Sequence, residues 1–341
     1  MGRASKDKRD IYYRKAKEEG YRARSAYKLL QIDEEFHILD GVTRAVDLCA
    51  APGSWSQVLS SRLLDNSTSS IRRRGVAGGG VASLHEGGDD GGTPAAPVIV
   101  AVDLQEMAPI PGVTLLQGDI TTEATANAII SHCGGHPADI VICDGAPDVT
   151  GLHDLDEYVH HQLLLAALNI TTCVLKPGGS FVAKMFRGPN TPFLAAKMKC
   201  FFDFVTVVKP KSSRNSSVEA FVLCQGYRPP YDGFVPSMRT SLGSNVTLLS
   251  AGAPPHVNDA FHTTGFPLAP TAEMVLPFVA CGDLSGYDAD MCYDAVEGAG
   301  GNGCASLLPV QPPITAPYLA PPVGHHHGDD LVLSERKRSR A

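Results

Sequence analysis

Hydrophobic positions along this chain fall into short, closely spaced groups. Residues 44–49 (RAVDLC) form an apolar run interrupted by one aspartate, and Val98–Asp103 (VIVAVD) is continuous, as in a strand buried on both faces. Shorter runs follow at Val113–Gln117, Asp139–Asp144, Ser180–Lys184, Phe204–Val208 and Val218–Cys224. Between them lie stretches with helical spacing. Ala26, Leu29, Leu30 and Phe36 line one face of residues 24–36, a helix begins at Ser54, and others cover residues 123–131, 157–175 and 191–202. Ser54 with Gln57 fits a capping box at its helix start. Lys176-Pro177-Gly178-Gly179 is read as the loop closing the long helix.

Strands alternating with helices predict an α/β fold with a doubly wound, mostly parallel sheet of seven strands. The last two strands are joined by a polar loop too short for a crossover, so the last strand is expected to be antiparallel. Two segments break the pattern. Residues 65–97 hold eight glycines and the run Arg72-Arg73-Arg74, and read as a surface insertion without order. Residues 228–341 are rich in Pro and Gly, with apolar islands such as Val275–Val279 but no regular period. The expected organisation is a domain over 1–227 with the 65–97 insertion, followed by a largely irregular extension over 228–341.

Composition narrows the function. With 341 residues, 43% of them hydrophobic, the chain can bury a sizeable core. Its longest apolar stretch, near Leu163–Leu175, is too short for the roughly 20 residues that span a bilayer, so no membrane role is expected. The charged start of the chain lacks a following apolar run and does not read as a secretory signal. Nine cysteines without metal spacing fit reduced thiols, and no metal is expected. The net charge of −7 is unevenly spread. Residues 1–30 carry ten Lys or Arg against four acids, and residues 184–214 seven against one. These basic segments suit either a phosphate footprint or a solvated face. The terminal Arg336-Lys337-Arg338-Ser339-Arg340 reads as a charged tail or a nuclear signal, and His325-His326-His327 as an irregular tract or an adventitious metal binder.

Ligands of open α/β sheets bind beyond the carboxyl ends of the strands. Gly53, in the loop after the first strand, lets the backbone approach a ligand, and the helix that follows offers N–H groups to an anion. Asp103 and Asp119 end the second and third strands, where carboxylates can take ribose hydroxyls and an adenine amino group. Trp55 fits core packing as well as the site. Asp144 and Lys184 end the fourth and fifth strands, and Glu219 begins the reversed last strand, so all three reach one edge. Lys28 lies on a helix able to pack beside them. Two lysines and two carboxylates suit the activation of a hydroxyl group. A lysine can take a proton only if its pKa falls from about 10.4, through burial or a neighbouring cation. Asp144 and Glu219 pull the other way, so the balance depends on geometry. Surface salt bridges are the alternative, more so for Glu219.

These segments are familiar as a set. Arg24–Asp33 (RSAYKLLQID), Val46–Leu59 (VDLCAAPGSWSQVL), Cys143–Gly151 (CDGAPDVTG), Leu175–Gly188 (LKPGGSFVAKMFRG) and Lys209–Tyr227 (KPKSSRNSSVEAFVLCQGY) resemble the FtsJ (RrmJ) family of RNA ribose 2′-O-methyltransferases. The resemblance implies a Rossmann-like fold, S-adenosyl-L-methionine as cofactor, and a catalytic set of Lys28, Asp144, Lys184 and Glu219 with Lys184 as proton acceptor. It places the cofactor at Gly53, Trp55, Asp103, Asp119 and Asp144. Ser5–Leu30, Asp148–Tyr158 and Pro277–Asp290 (PFVACGDLSGYDAD) resemble the eukaryotic branch that modifies tRNA anticodon loops. That branch implies methylation of nucleotides 32 and 34, a cytoplasmic location, and auxiliary subunits of WD-repeat and helical-repeat type. Alternatives are a ribosomal RNA 2′-O-methyltransferase, a base N-methyltransferase, and an RNA-binding or assembly protein of this fold without catalysis.

Overall fold

The structure is a computed structural model and describes residues 10–64, 96–148, 150–230, 234–236, 238, 276–291, 293, 295–296, 304–305 and 310. The expected insertion, apart from residues 96 and 97, and the Arg336–Arg340 and His325–His327 tracts lie outside these residues. The elements are α1 (Ile11–Glu18), α2 (Ala26–Phe36), β1 (Arg44–Leu48), α3 (residues 54–64), β2 (Val98–Asp103), β3 (Val113–Gln117), α4 (Glu123–His132), β4 (Ala138–Cys143), α5 (His153–Val174), β5 (Leu175–Phe186), α6 (Thr191–Lys199), β6 (Phe202–Pro210), β7 (Glu219–Tyr227) and β8 (Phe278–Cys281), with the short strands β9 (Ala295–Val296) and β10 (Cys304–Ala305) paired to each other.

One sheet orders the strands β3-β2-β1-β4-β5-β7-β6-β8. Neighbours from β3 to β5 are parallel, and β7 runs antiparallel to both β5 and β6. The reversed strand is thus the one the short polar loop predicts. The expectation of seven strands is corrected to eight: β8, from the extension, pairs in parallel with β6 from Val207↔Phe278 to Pro210↔Cys281. A four-residue edge strand among prolines and glycines shows too little periodicity to be read from sequence. Its neighbours also join the domain, since Ala289, Tyr287 and Tyr293 pack with Ile11 and Tyr12 of α1.

Both faces of the sheet are covered, which explains the unbroken apolar strands. Along β7, Ala220, Val222 and Cys224 enter the core under α4, α5 and α6, whereas Phe221 and Leu223 enter the core under α2 and α3. The period of two is that of side chains alternating across a strand. Two local expectations differ from the structure. Residues 176–179 belong to β5, which reaches back to Leu175↔Ala138 through a register shift before Ser180↔Ile140. Ser54 and Gln57 do not form a capping box, because the segment before α2 crosses the start of α3. Ser54 Oγ lies 2.6 Å from Ser25 Oγ, and Gln57 Oε1 accepts from Arg22 N at 2.8 Å. Among the described residues no helix is long and apolar enough to cross a membrane.

Candidate active site

A cleft of about 1100 Å³ opens beyond the carboxyl ends of β1–β4, lined among others by Ala51, Pro52, Asp103, Asp119 and Asp144. The strand order changes direction beside β1, where ligand crevices form in such sheets. Gly53 adopts φ +102°, and a Cβ there would meet Ile110 Cδ1 at 2.7 Å and Arg22 Nη1 at 2.8 Å. Only glycine suits this turn. Arg22 donates to the carbonyls of Pro52, Ala108 and Pro109, fastening two rims of the cleft.

Asp103 ends β2 as expected. Its Oδ2 accepts from Ala51 N (2.9 Å) and its Oδ1 from Gln105 N (2.8 Å), so it also holds the loop after β1. Asp119 Oδ1 closes a turn with Thr121 N (2.9 Å) and Thr121 Oγ1 (2.7 Å) at the cleft edge. Trp55 is the predicted cofactor residue whose side chain lies elsewhere. It is 1% exposed, its ring centroid 5.5 Å from that of Phe221, and its Nε1 donates to Ser25 O at 2.9 Å. The indole packs in the core between α2, α3 and β7, and Trp55 is not among the residues that line the cleft. Asp47, given no role by the sequence reading, lies fully buried beneath the same loop and accepts from Ser56 Oγ at 2.5 Å. Burial pushes its carboxyl up to about 7, with the charges of Asp144 and Asp103 adding to the shift. The available signal was an aspartate inside an apolar strand.

The four charged residues meet next to Asp144, the member of the set that lines the cleft. Lys184 Nζ lies 2.7 Å from Asp144 Oδ1, donates to Asp144 O at 2.8 Å, and stands 3.8 Å from Glu219 Oε2. Lys28 Nζ donates to Glu219 Oε2 at 2.8 Å and sits 5.7 Å above the Phe221 ring. The register Phe186↔Glu219 and Lys184↔Phe221 brings the start of β7 beside the end of β5. The four side chains are only 11–16% exposed, so their charges interact through little solvent. Burial alone would lower the Lys184 pKa, but Asp144 and Glu219 outweigh it and hold the ammonium above its usual range. Burial would raise Glu219, yet Lys28 and Lys184 hold it down at about 2. The resting site is therefore a chain of alternating charges. The fall in the lysine pKa that proton acceptance requires, left open by the sequence, does not occur in it, because two carboxylates close by outweigh desolvation.

Supporting residues that the sequence reading missed surround this chain. Ser213 Oγ donates to Glu219 Oε1 at 2.8 Å, and Lys209 Nζ donates to the carbonyls of Ser217 (2.8 Å) and Glu219 (2.6 Å). The intervening loop is held from both ends of the chain. Arg214 pairs with the buried Asp10 at 3.1 Å, Arg24 bridges Asp10 to Ser212 O, and Asp290 accepts from Asn215 N at 2.6 Å. Several cations of the two basic segments thus serve internal structure.

Residues 21–227 match the FtsJ-like methyltransferase family. The chain is 52% identical over 318 residues to the tRNA (cytidine(32)/guanosine(34)-2′-O)-methyltransferase of Homo sapiens, spanning 93% of this chain and 83% of that protein. It is 49% identical over 319 residues to the enzyme of the same name from Schizosaccharomyces pombe, spanning 93% and 95%. The ribosomal RNA large subunit methyltransferase E of Methanothrix thermoacetophila is 40% identical over 219 residues, spanning 64% and 73%.

Proposed function

Because the chain belongs to the FtsJ-like methyltransferase family, we propose that it methylates the ribose 2′-hydroxyls of tRNA nucleotides 32 and 34, with Lys184 as the proton acceptor. The family uses S-adenosylmethionine. The cleft suits that molecule: Asp103 at the end of β2 and Asp119 just after β3 line it and can take ribose hydroxyls and an adenine amino group, and Ala51 and Pro52 bring the backbone of the loop after β1 to its wall. Bound there, the cofactor supplies a methyl group on a positively charged sulfur.

The observation that carries the reading is the buried Lys28–Glu219–Lys184–Asp144 chain, whose Asp144 end lines this cleft. A ribose hydroxyl is a weak nucleophile and needs an acceptor within hydrogen-bond reach. A positive charge brought near Asp144 would weaken that carboxylate's hold on Lys184 and favour the free amine. Lys184 can then accept the hydroxyl proton at Nζ. Lys28 and Glu219 keep it aligned, and alignment supplies much of the rate in such a transfer.

The choice of tRNA rests on where the likeness extends. Identity to the enzymes named for positions 32 and 34 runs through the C-terminal segment, whereas the likeness to the ribosomal enzyme covers about two thirds of the chain. Auxiliary subunits of WD-repeat and helical-repeat type and a cytoplasmic location belong to the same reading, supported by the Pro277–Asp290 resemblance. The test is to incubate the chain and cofactor with unmodified tRNA or ribosomal RNA, adding a WD-repeat or helical-repeat subunit in separate arms. Methylated products are then mapped by mass spectrometry. 2′-O-methyl groups at tRNA nucleotides 32 and 34 are expected. Methylated bases, or ribosomal RNA as the better substrate, would refute the proposal.

A further inference from the structure

β4 ends at Cys143, paired with Ala183, but β5 continues to Phe186. Beyond Ala183 the strand that carries Lys184 therefore has, among the described residues, no parallel neighbour on that side. Buried carbonyls left without donors are costly, and here two histidines on α5 meet them. His160 Nε2 lies 3.1 Å from Lys184 O, and His161 Nε2 lies 3.4 Å from Phe186 O. His160 is 1% exposed and stacks on Phe186, with ring centroids 4.1 Å apart and planes 15° from parallel.

We infer that His160 is a positioning residue: as a neutral Nε2–H donor it stands in for the missing strand and fixes the main chain from which Lys184 reaches Asp144. The tautomer follows from the contacts. The carbonyl can only accept, so Nε2 carries the hydrogen. Nδ1 is buried without a partner among the described residues, and a bare lone pair there costs less than an unpaired N–H. Burial, with the charge of Lys184 nearby, keeps the ring uncharged, its pKa pushed down to about 4 despite the carbonyl bond. His160 touches no reacting atom, so it acts only through the placement of Lys184.

The inference rests on Lys184 acting as proposed above, and its test separates the two. In the full chain, His160→Leu removes the donor and His160→Gln restores one from a side-chain amide. With Leu, kcat is expected to fall about tenfold, the rate equivalent of ~1.4 kcal/mol or about one hydrogen bond. KM for tRNA and cofactor affinity should stay within about twofold, because neither binding surface changes. Gln should bring kcat back to within about threefold. A wild-type kcat in the Leu variant, a loss confined to KM, or a Gln variant no better than Leu overturns the inference. If the Leu variant does not fold, the Gln variant decides by its kcat alone: near wild type supports the role, a tenfold loss refutes it. Long-range proton–nitrogen NMR of the histidine rings, assigned by the signal lost in His160→Gln, needs no activity. It should find His160 neutral and protonated at Nε2 at pH 7. An imidazolium or the Nδ1–H form overturns the inference even if methylation proceeds, whereas a Lys184→Met variant that methylates tRNA at the wild-type rate refutes only the reading of Lys184.

Discussion

Replacing Glu219 by glutamine removes one charge and little volume, and it isolates what holds the proton on Lys184. The carboxylate lies 3.8 Å from Lys184 Nζ. At an effective dielectric constant of about 20, that contact is worth ~4 kcal/mol of Coulomb attraction favouring the ammonium. The same substitution leaves Lys28 without its partner at 2.8 Å, so a second cation also presses on Lys184. Both changes move the Lys184 pKa down. Because the free amine is the proposed acceptor, kcat/KM in the wild type should climb with pH as the raised Lys184 titrates. In Glu219→Gln the climb should reach its plateau at lower pH. The plateau itself should be lower, by up to about 100-fold, since Glu219 no longer aligns the lysines. The assay is methyl transfer to a tRNA transcript from labelled cofactor between about pH 7 and 12, a window that reaches past the ordinary lysine value, with subsaturating tRNA and reactions short enough to limit alkaline cleavage of the RNA. An unchanged or alkaline-shifted midpoint in the variant would refute the electrostatic reasoning, whatever happens to the maximum rate.

Other parts of the account can be tested separately. Gly53→Ala places a methyl group 2.7 Å from Ile110 Cδ1 at φ +102°. It should cost ~1–3 kcal/mol of stability and weaken cofactor binding, read by denaturation and by calorimetric titration. Asp47 has a folded-state pKa of about 7 against an unfolded value of about 3.9. The folded state therefore holds more protons between these values, and stability should fall as pH rises from about 4 to 7, by a few kcal/mol. In Asp47→Asn, denaturant titrations across that window should lose this component of the slope. Trp55→Phe keeps an aromatic ring against Phe221 but drops the bond to Ser25 O. It should cost ~1–3 kcal/mol by denaturation, with cofactor affinity little changed, because the indole faces the core.

Much of the fold was legible because its strands are buried on both faces, so β1, β2 and β4 stand out as apolar runs between amphipathic helices. Lys184 was legible for a related reason: a charge within Phe181–Phe186 has no bland position on such a strand. What escaped was set by contacts distant in sequence. α1 is one short, strongly charged helix, capped by Asp10 and packed against Ala289 from the far end of the chain. β8 is recognisable only once β6 is in place beside it. Ser54 and Gln57 matched a local cap, but partners 29 and 35 residues away took their side chains. The charge state of Lys184 was equally hidden, since it depends on distances to Asp144 and Glu219 that no local pattern encodes.

The central claim is that the Lys184 amine receives the proton of a ribose hydroxyl. Lys184→Met keeps the length and apolar stem of the side chain while removing its nitrogen. The most direct measurement is the single-turnover rate of 2′-O-methyl formation on tRNA by this variant, with cofactor affinity measured on the same preparation. The account predicts near-normal affinity and a rate lowered by about 100-fold or more. A variant that binds cofactor and methylates ribose at the wild-type rate would contradict it.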